Sequence, residues 1–311
     1  MYYKMTTLVT GGSGLVGTAI KRILDESSAI FVSSAQYDLT KMDDTKRMFE
    51  TYRPTRVIHL AACVGGLFKN MNYKVKMLED NLMINFNVVK CCHDYGVEKL
   101  IACLSTCIFP DKTTYPIDET MLHNGPPHSS NDAYAYAKRM LQIHCKTYRD
   151  AYGDNFVCII PTNVYGIHDN YSLVDGHVIP ALIHQCYLAK QKGTKFVVKG
   201  TGAPLRQFIY SDDLARLIVW TMENYNEGLL ILSTPECNEV SIGTVARIIA
   251  YKFDYSEQIE FDTSYSDGQY SKTANNQRLM DNIKHFNFTD INEGIETTIT
   301  WFIENFENIR K

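Results

Sequence analysis

Residues 7–17 read TLVTGGSGLVG, and the glycines at 11, 14 and 17 decide how the rest of the chain is read. The opening TLVT has the β-branched, apolar make-up of a buried strand, and the residues after Gly14 restart an apolar pattern at helical spacing. Glycine between the two permits a positive φ and lets the backbone approach a pyrophosphate, whose charge the N-terminus of the following helix stabilises. A glycine trio alone also suits an ordinary turn. Between a strand and a helix it points to dinucleotide binding, with Gly11, Gly14, Leu15, Val16 and Gly17 against the cofactor.

Outward from this turn, TTLVT (6–10), AIFVSS (29–34), TRVIHLAA (55–62), KLIACLS (99–105) and NFVCIIPT (155–162) are candidate strands. Helical stretches near 15–25, 43–52, 74–95 and 132–152 separate them. This alternation predicts an α/β fold: a doubly wound parallel-sheet Rossmann domain over residues 1–170, covered on both faces by helices. After about residue 170 the pattern becomes irregular. Residues 171–311 read as mainly a smaller C-terminal α/β substrate-binding lobe, with segments near 205–235 returning to the sheet. A last amphipathic helix near 290–308 carries Trp301, Phe302 and Phe306.

Composition narrows the function classes. The 311 residues are 45% hydrophobic, enough for a sizeable core, and the net charge of -4 is spread along the chain. There is no basic arm to bind nucleic acid, and no apolar run of membrane-spanning length. The first residues, MYYKMTTLVT, lack a basic stretch followed by an apolar one, so a soluble cytoplasmic protein is expected. Nine cysteines lie scattered without CxxC pairs and read as reduced core thiols, so neither a disulfide framework nor a metal site is expected.

The reactive residues come next. In NDAYAYAKRML, Tyr134 and Lys138 are one helical turn apart and share a face, whereas Tyr136 is out of register with Lys138. A lysine beside a phenol favours the phenolate and brings the group toward proton transfer at neutral pH. With Ser105 at the end of the fourth strand, this set resembles the Ser-Tyr-Lys constellation of the short-chain dehydrogenase/reductase superfamily, and the GxxGxxG spacing resembles its extended branch. The resemblance implies that Ser105 and Tyr134 hold a substrate carbonyl, that Tyr134 transfers the proton, and that Lys138 also holds the nicotinamide ribose. It further implies cofactor contacts at Ala61, Ala62, Pro161, Asn163 and Val164. In YDLT, Asp38 with Leu39 either reaches the adenine or caps a turn. FVSSAQYD offers Ser33 and Ser34 after the second strand and no immediate acid, which together with the resemblance implies NADPH/NADP+; Lys21 or Arg22 is a candidate 2′-phosphate partner.

HLAACVGGL (59–67), STCIFP (105–110), PTNVYGIHDNY (161–171) and GHVIPALI (176–183) resemble the GDP-L-fucose synthase family over essentially the whole chain. That resemblance implies 3,5-epimerisation and 4-reduction of GDP-4-keto-6-deoxy-D-mannose. A C4 ketone acidifies C3 and C5, so inversion needs a base on one face and an acid on the other. By resemblance Cys107 is the base and His177 the acid, the latter also near the cofactor; from the residues alone they read as a small buried group and a helix-start histidine. Ser105 and Cys107 are same-side neighbours if the chain stays extended. For the nucleotide sugar, the resemblance implies Ser105, Asn163, Val178, Arg206, Asp267 and Lys272. Gln185 and Lys199 stand where many relatives carry a basic residue and a tryptophan. A homodimer through 74–95 and 132–152 is also implied. Thr106-Cys107 stands where a dehydratase generally has an acidic pair. Another nucleotide-sugar enzyme of the superfamily, such as a 4-epimerase, and a non-catalytic dinucleotide-binding regulatory protein would share the glycine turn.

Overall fold

The β-branched runs form a single parallel sheet. In the computed structural model, which describes residues 5–24, 27–267 and 269–311, β1 (Thr7–Thr10), β2 (Ala29–Val32), β3 (Arg56–His59), β4 (Lys99–Cys103) and β5 (Phe156–Pro161) are joined by a late strand, β10 (Leu229–Leu232). The order is β10-β5-β4-β3-β1-β2, and every pairing is parallel. The opening MYYK and Gly268 of the SDGQ turn lie outside the described residues. Alternate strand residues enter two cores. Leu8, Val57 and Leu100 face α2 (Met42–Tyr52), α4 (Lys74–Asp94) and α5 (Asp132–Tyr152). Val9, Ile58 and Ile101 face α1 (Leu15–Lys21) and α7 (Ser211–Asn224). With both faces covered, a strand has no polar side to present, and β5 is buried at every position.

Several elements are shorter than the sequence predicts, the second strand and the first helix among them. The second strand stops at Val32, because Gln36 accepts the Ser33 N–H at 2.9 Å and turns the chain back. The first helix stops at Lys21, where Arg22 N–H and Ile23 N–H bond to carbonyls three residues back and tighten the last turn. One short helix, α3 (Leu67–Asn72), has no counterpart in the sequence reading.

The second lobe is built from small pieces: β6 (Asn163–Tyr165), α6 (Val178–Lys192), β7 (Phe196–Lys199), β8 (Leu205–Arg206), β9 (Phe208–Tyr210), β11 (Val240–Ser241), α8 (Ile242–Lys252), β12 (Ile259–Asp262), α9 (Gln277–Ile283) and α10 (Ile291–Glu304). The pairs β6–β9, β7–β12 and β8–β11 each form a two-stranded sheet. Their core contains Tyr165, Tyr171, Phe196 and Phe302, with Trp301 and Phe306 packed against it. Phe306 lies beyond the end of α10 at Glu304. Among the described residues, no helix is long and apolar enough to cross a membrane.

β1 has β2 on one side and β3 on the other, so the connections leave it in opposite directions. The carboxyl ends of β1 and β3 therefore flank a crevice of the kind that binds ligands in open α/β sheets.

Candidate active site

The glycine turn is built into this crevice. Gly11 has φ +72°, and a Cβ there would lie 2.8 Å from the Ala61 nitrogen. At Gly17 a Cβ would lie 2.5 Å from the Gly11 carbonyl oxygen, so only glycine allows the turn and helix to pack this closely. Gly14 is the N-cap of α1 and supplies no side-chain cap, which leaves the first-turn N–H groups, including those of Leu15 and Val16, to face an anion. These residues fit a dinucleotide's diphosphate.

A buried polar chain that sequence reading missed fixes the opposite wall. The Thr10 hydroxyl lies 2.8 Å from His59 Nδ1, His59 Nε2 lies 3.1 Å from Asn85 Oδ1, and the Ala61 N–H donates to Thr10 Oγ1. Burial, reinforced by the Lys138 charge, lowers the His59 pKa to about 3, so the ring is neutral and through Thr10 steers the Ala61 N–H. Its trace in the sequence is a polar residue ending each of two apolar strands paired Thr10 to His59. Asp38 is committed to its turn: Oδ1 accepts from Thr40 N–H and Oγ1, which hold the carboxyl below its usual pKa, and Oδ2 pairs with Lys41. Leu39 is buried beside it, Arg22 pairs with Asp212, and Lys21 closes α1.

The chain does not stay extended after β4. Ser105 is extended, but Thr106–Ile108 forms a 3₁₀ turn capped by Ser105, whose Oγ accepts the Cys107 N–H at 3.4 Å. The turn, not strand alternation, brings hydroxyl and thiol together. Two consecutive residues of α5 hold its ends: Lys138 Nζ donates to the Cys103 carbonyl at 2.7 Å, and Arg139 Nε donates to the Ile108 carbonyl at 2.6 Å. Lys138 is only 2% exposed, and its Nζ lies 5.9 Å from the Tyr134 ring centre.

Tyr134 also departs from expectation. Burial, then the nearby Cys107, Cys103 and Cys63 thiols, push the phenol well above its ordinary value, so it is a protonated donor here rather than a phenolate. Burial lowers the Lys138 pKa, and it raises that of Cys107 against the opposing effects of Ser105, Lys272 and Lys138.

Most of the remaining residues come from the second lobe. His177 is the N-cap of α6, followed by the half-buried Val178; crowding by protein and the Arg310 charge lower its pKa. Its loop reaches the sheet lobe where Gly66 N–H bonds to the Asp175 carbonyl at 3.0 Å. No hydrogen bond joins His177 to Cys107 among the described residues. Pro161 ends β5, Val164 lies in β6, and Asn163 donates to the Gln207 carbonyl at 2.9 Å. Gln185 donates to the Val197 carbonyl at 2.6 Å, tying α6 to β7. Lys199 is exposed over Tyr265 and Asp267 is bound by Thr201, and neither lines the crevice that holds Cys107. Arg206 donates to the Leu205 and Gln269 carbonyls at 2.6 and 2.7 Å. Lys272 shares a crevice with Cys107. Ser105, Cys107, Tyr134, Lys138 and Lys272 are thus gathered together, with His177 on the facing lobe.

Comparison with known proteins agrees with this geometry. Residues 7–231 match the NAD dependent epimerase/dehydratase family. A GDP-L-fucose synthase of Dictyostelium discoideum is 52% identical, over 99% of this chain and 98% of its own. A probable GDP-L-fucose synthase of Drosophila melanogaster is 46% identical, over 98% and 99%. A crystal structure of a Naegleria fowleri GDP-L-fucose synthetase bound to NADP superposes with a TM-score of 0.94 at 48% identity, covering 100% of this chain and 96% of that one. The chain belongs to the NAD dependent epimerase/dehydratase family and, within it, to the GDP-L-fucose synthase group.

Proposed function

We propose that the chain epimerises GDP-4-keto-6-deoxy-D-mannose at C3 and C5 and then reduces the C4 ketone with NADPH, giving GDP-L-fucose. The observation that carries this reading is the grip of Lys138 and Arg139 on residues 103–108, which holds Ser105 and Cys107 as one unit next to Tyr134. The shared name of the relatives and the NADP in the Naegleria structure support the same reaction and cofactor.

Ser105 and Tyr134 donate hydrogen bonds to the C4 carbonyl oxygen and steady the charge that builds there when a neighbouring carbon loses its proton. Cys107, as thiolate, takes protons from C3 and C5, and His177 returns protons from the facing lobe. When the ketone becomes an alcohol, Tyr134 hands its phenolic proton to the oxygen. NADPH, when bound, supplies the hydride. We assign its diphosphate to the backbone of Gly11, Gly14, Leu15, Val16 and Gly17, and its ribose to Lys138. The remaining contacts go to Asp38, Leu39, Ala61, Ala62, Pro161, Asn163, Val164 and His177. The nucleotide sugar falls to Asn163, Val178, Gln185, Lys199, Arg206, Asp267 and Lys272. This divides the labour between a cofactor lobe, residues 1–170 with segments near 205–235 returned to its sheet, and a mainly sugar-nucleotide lobe in the rest of 171–311.

The same reading includes a homodimer. Val75, Met83 and Phe86 on α4 and Met140 and Ile143 on α5 are exposed apolar residues on two helices packed side by side, and a second copy of the pair would cover them as a four-helix bundle. Nine free cysteines, among them a thiol required for the reaction, support a reducing cytoplasmic setting.

The test is to supply purified protein with the 4-keto sugar nucleotide and NADPH. GDP-L-fucose formed with equimolar loss of reduced nicotinamide supports the proposal; firm NADPH binding without turnover refutes it.

A further inference from the structure

Residues 269–275 carry no helix or strand, yet they are tied down along their length. Leu205 N–H and Arg206 hold the Tyr270 and Gln269 carbonyls. Ile117 exchanges backbone hydrogen bonds with Thr273 and Asn275, and Gln207, 1% exposed, bonds to both the N–H and the carbonyl of Ala274. Glu239 accepts the hydroxyl of Ser271 at 3.2 Å and that of Thr273 at 2.9 Å. Side chains two residues apart on an extended chain share a side, so the residue between them is turned the other way. That residue is Lys272, and it lines a crevice with Cys107. The crevice encloses about 10 Å³, room for roughly one water molecule.

We propose that Lys272 is the cation that holds Cys107 as a thiolate for proton abstraction, and that Glu239 is the positioning residue that aims it. The inference rests on the reaction proposed above. Lys138 also faces the thiol, but its ammonium is bound to the Cys103 carbonyl and serves Tyr134. Of the charges that oppose the effect of burial on Cys107, Lys272 stands ahead of Lys138. Conversely, burial lowers the Lys272 pKa, and Cys107 is foremost among the groups that raise it again. Among the described residues, Arg139 and Tyr134 from α5, and Asp111, Tyr115 and His128 from the crevice wall, also surround the thiol.

The experiment is alkylation of the ligand-free, full-length protein by iodoacetamide across pH, with Cys107 followed by peptide mass spectrometry and the exposed Cys237 as internal reference. The midpoint for Cys107 is expected to rise by about one pH unit in Lys272→Met, the size of effect expected on losing a close opposite charge. Lys272→Arg should stay near wild type, and Glu239→Ala should rise part of the way. An unchanged midpoint in Lys272→Met, or an equal rise in Lys272→Arg, overturns the role of Lys272; an unchanged midpoint in folded Glu239→Ala overturns that of Glu239. Because no nucleotide sugar is present, failure to make GDP-L-fucose would sink the proposed reaction without altering this titration.

Discussion

The two lobes hold their candidate site residues in different ways. On the sheet lobe the reacting groups are braced from beneath: Lys138 and Arg139 are buried in a long helix and grip the backbone on either side of Ser105 and Cys107. On the second lobe Lys199 and Asp267 are exposed, on a strand end and an irregular segment. Bond making and breaking demands placement to within an ångström or so, and a packed helix provides it. Holding a flexible nucleotide tolerates looser mounts. Lys272 crosses this division, being a second-lobe residue made rigid by Glu239 and Gln207 and set against the thiol of the other lobe.

The contrast can be broken at several points. Short of removing a reacting group, the largest effect is expected from Arg139→Met, which releases the Ile108 carbonyl and frees the turn that carries Cys107. Deuterium exchange at C3 and C5 should fall by about 10²-fold, the order of loss for a small misplacement, with KM little changed. Saturation kinetics with isotope analysis will show it, and a change confined to KM would place Arg139 among the loose mounts. A smaller effect is expected from Arg206→Ala. Losing a charge-assisted hydrogen bond of ~1.5–3 kcal/mol should raise KM for the sugar nucleotide by about tenfold or more while kcat falls less. The smallest effect is one of stability. His59 is fully buried with its pKa lowered from 6.5 to about 3, so the unfolded chain takes up a proton in that window and the folded chain does not. The stability contributed by the neutral ring is therefore complete above 6.5 and lost as pH falls toward 3. In His59→Gln the thermal midpoint should decline less steeply over that range than in wild type.

The sheet lobe was legible because its signals are local. TLVTGGSGLVG is a strand, a turn and a helix start in eleven consecutive residues, and Tyr134 and Lys138 are separated by one helical turn. The GDP-L-fucose synthase group was legible through STCIFP and GHVIP. What escaped were features decided by partners far along the chain. Arg139 looks like one more surface cation until its carbonyl partner 31 residues earlier is known. STCIFP reads as extended because nothing in it announces that Ser105 will cap a 3₁₀ turn. The Tyr134 phenol was expected to be drawn toward phenolate by Lys138, but burial in this chain alone acts more strongly in the opposite direction. His59 passed for a strand residue, since its partners Thr10 and Asn85 lie 49 and 26 residues away. Helix α3 follows two glycines and is too short to establish a period.

The most direct test concerns the claim that one ketone is served by a thiol for epimerisation and a phenol for reduction. Solvent deuterium entering C3 and C5 is to be followed in Cys107→Ser and Tyr134→Phe side by side, without NADPH and then with it. Cys107→Ser should lose exchange by ~10²–10⁴-fold, the range for removing a general base. Tyr134→Phe should keep measurable exchange yet fail to reduce the ketone once NADPH is present. Undiminished exchange in Cys107→Ser would contradict the assignment of the base and, with it, the shared site.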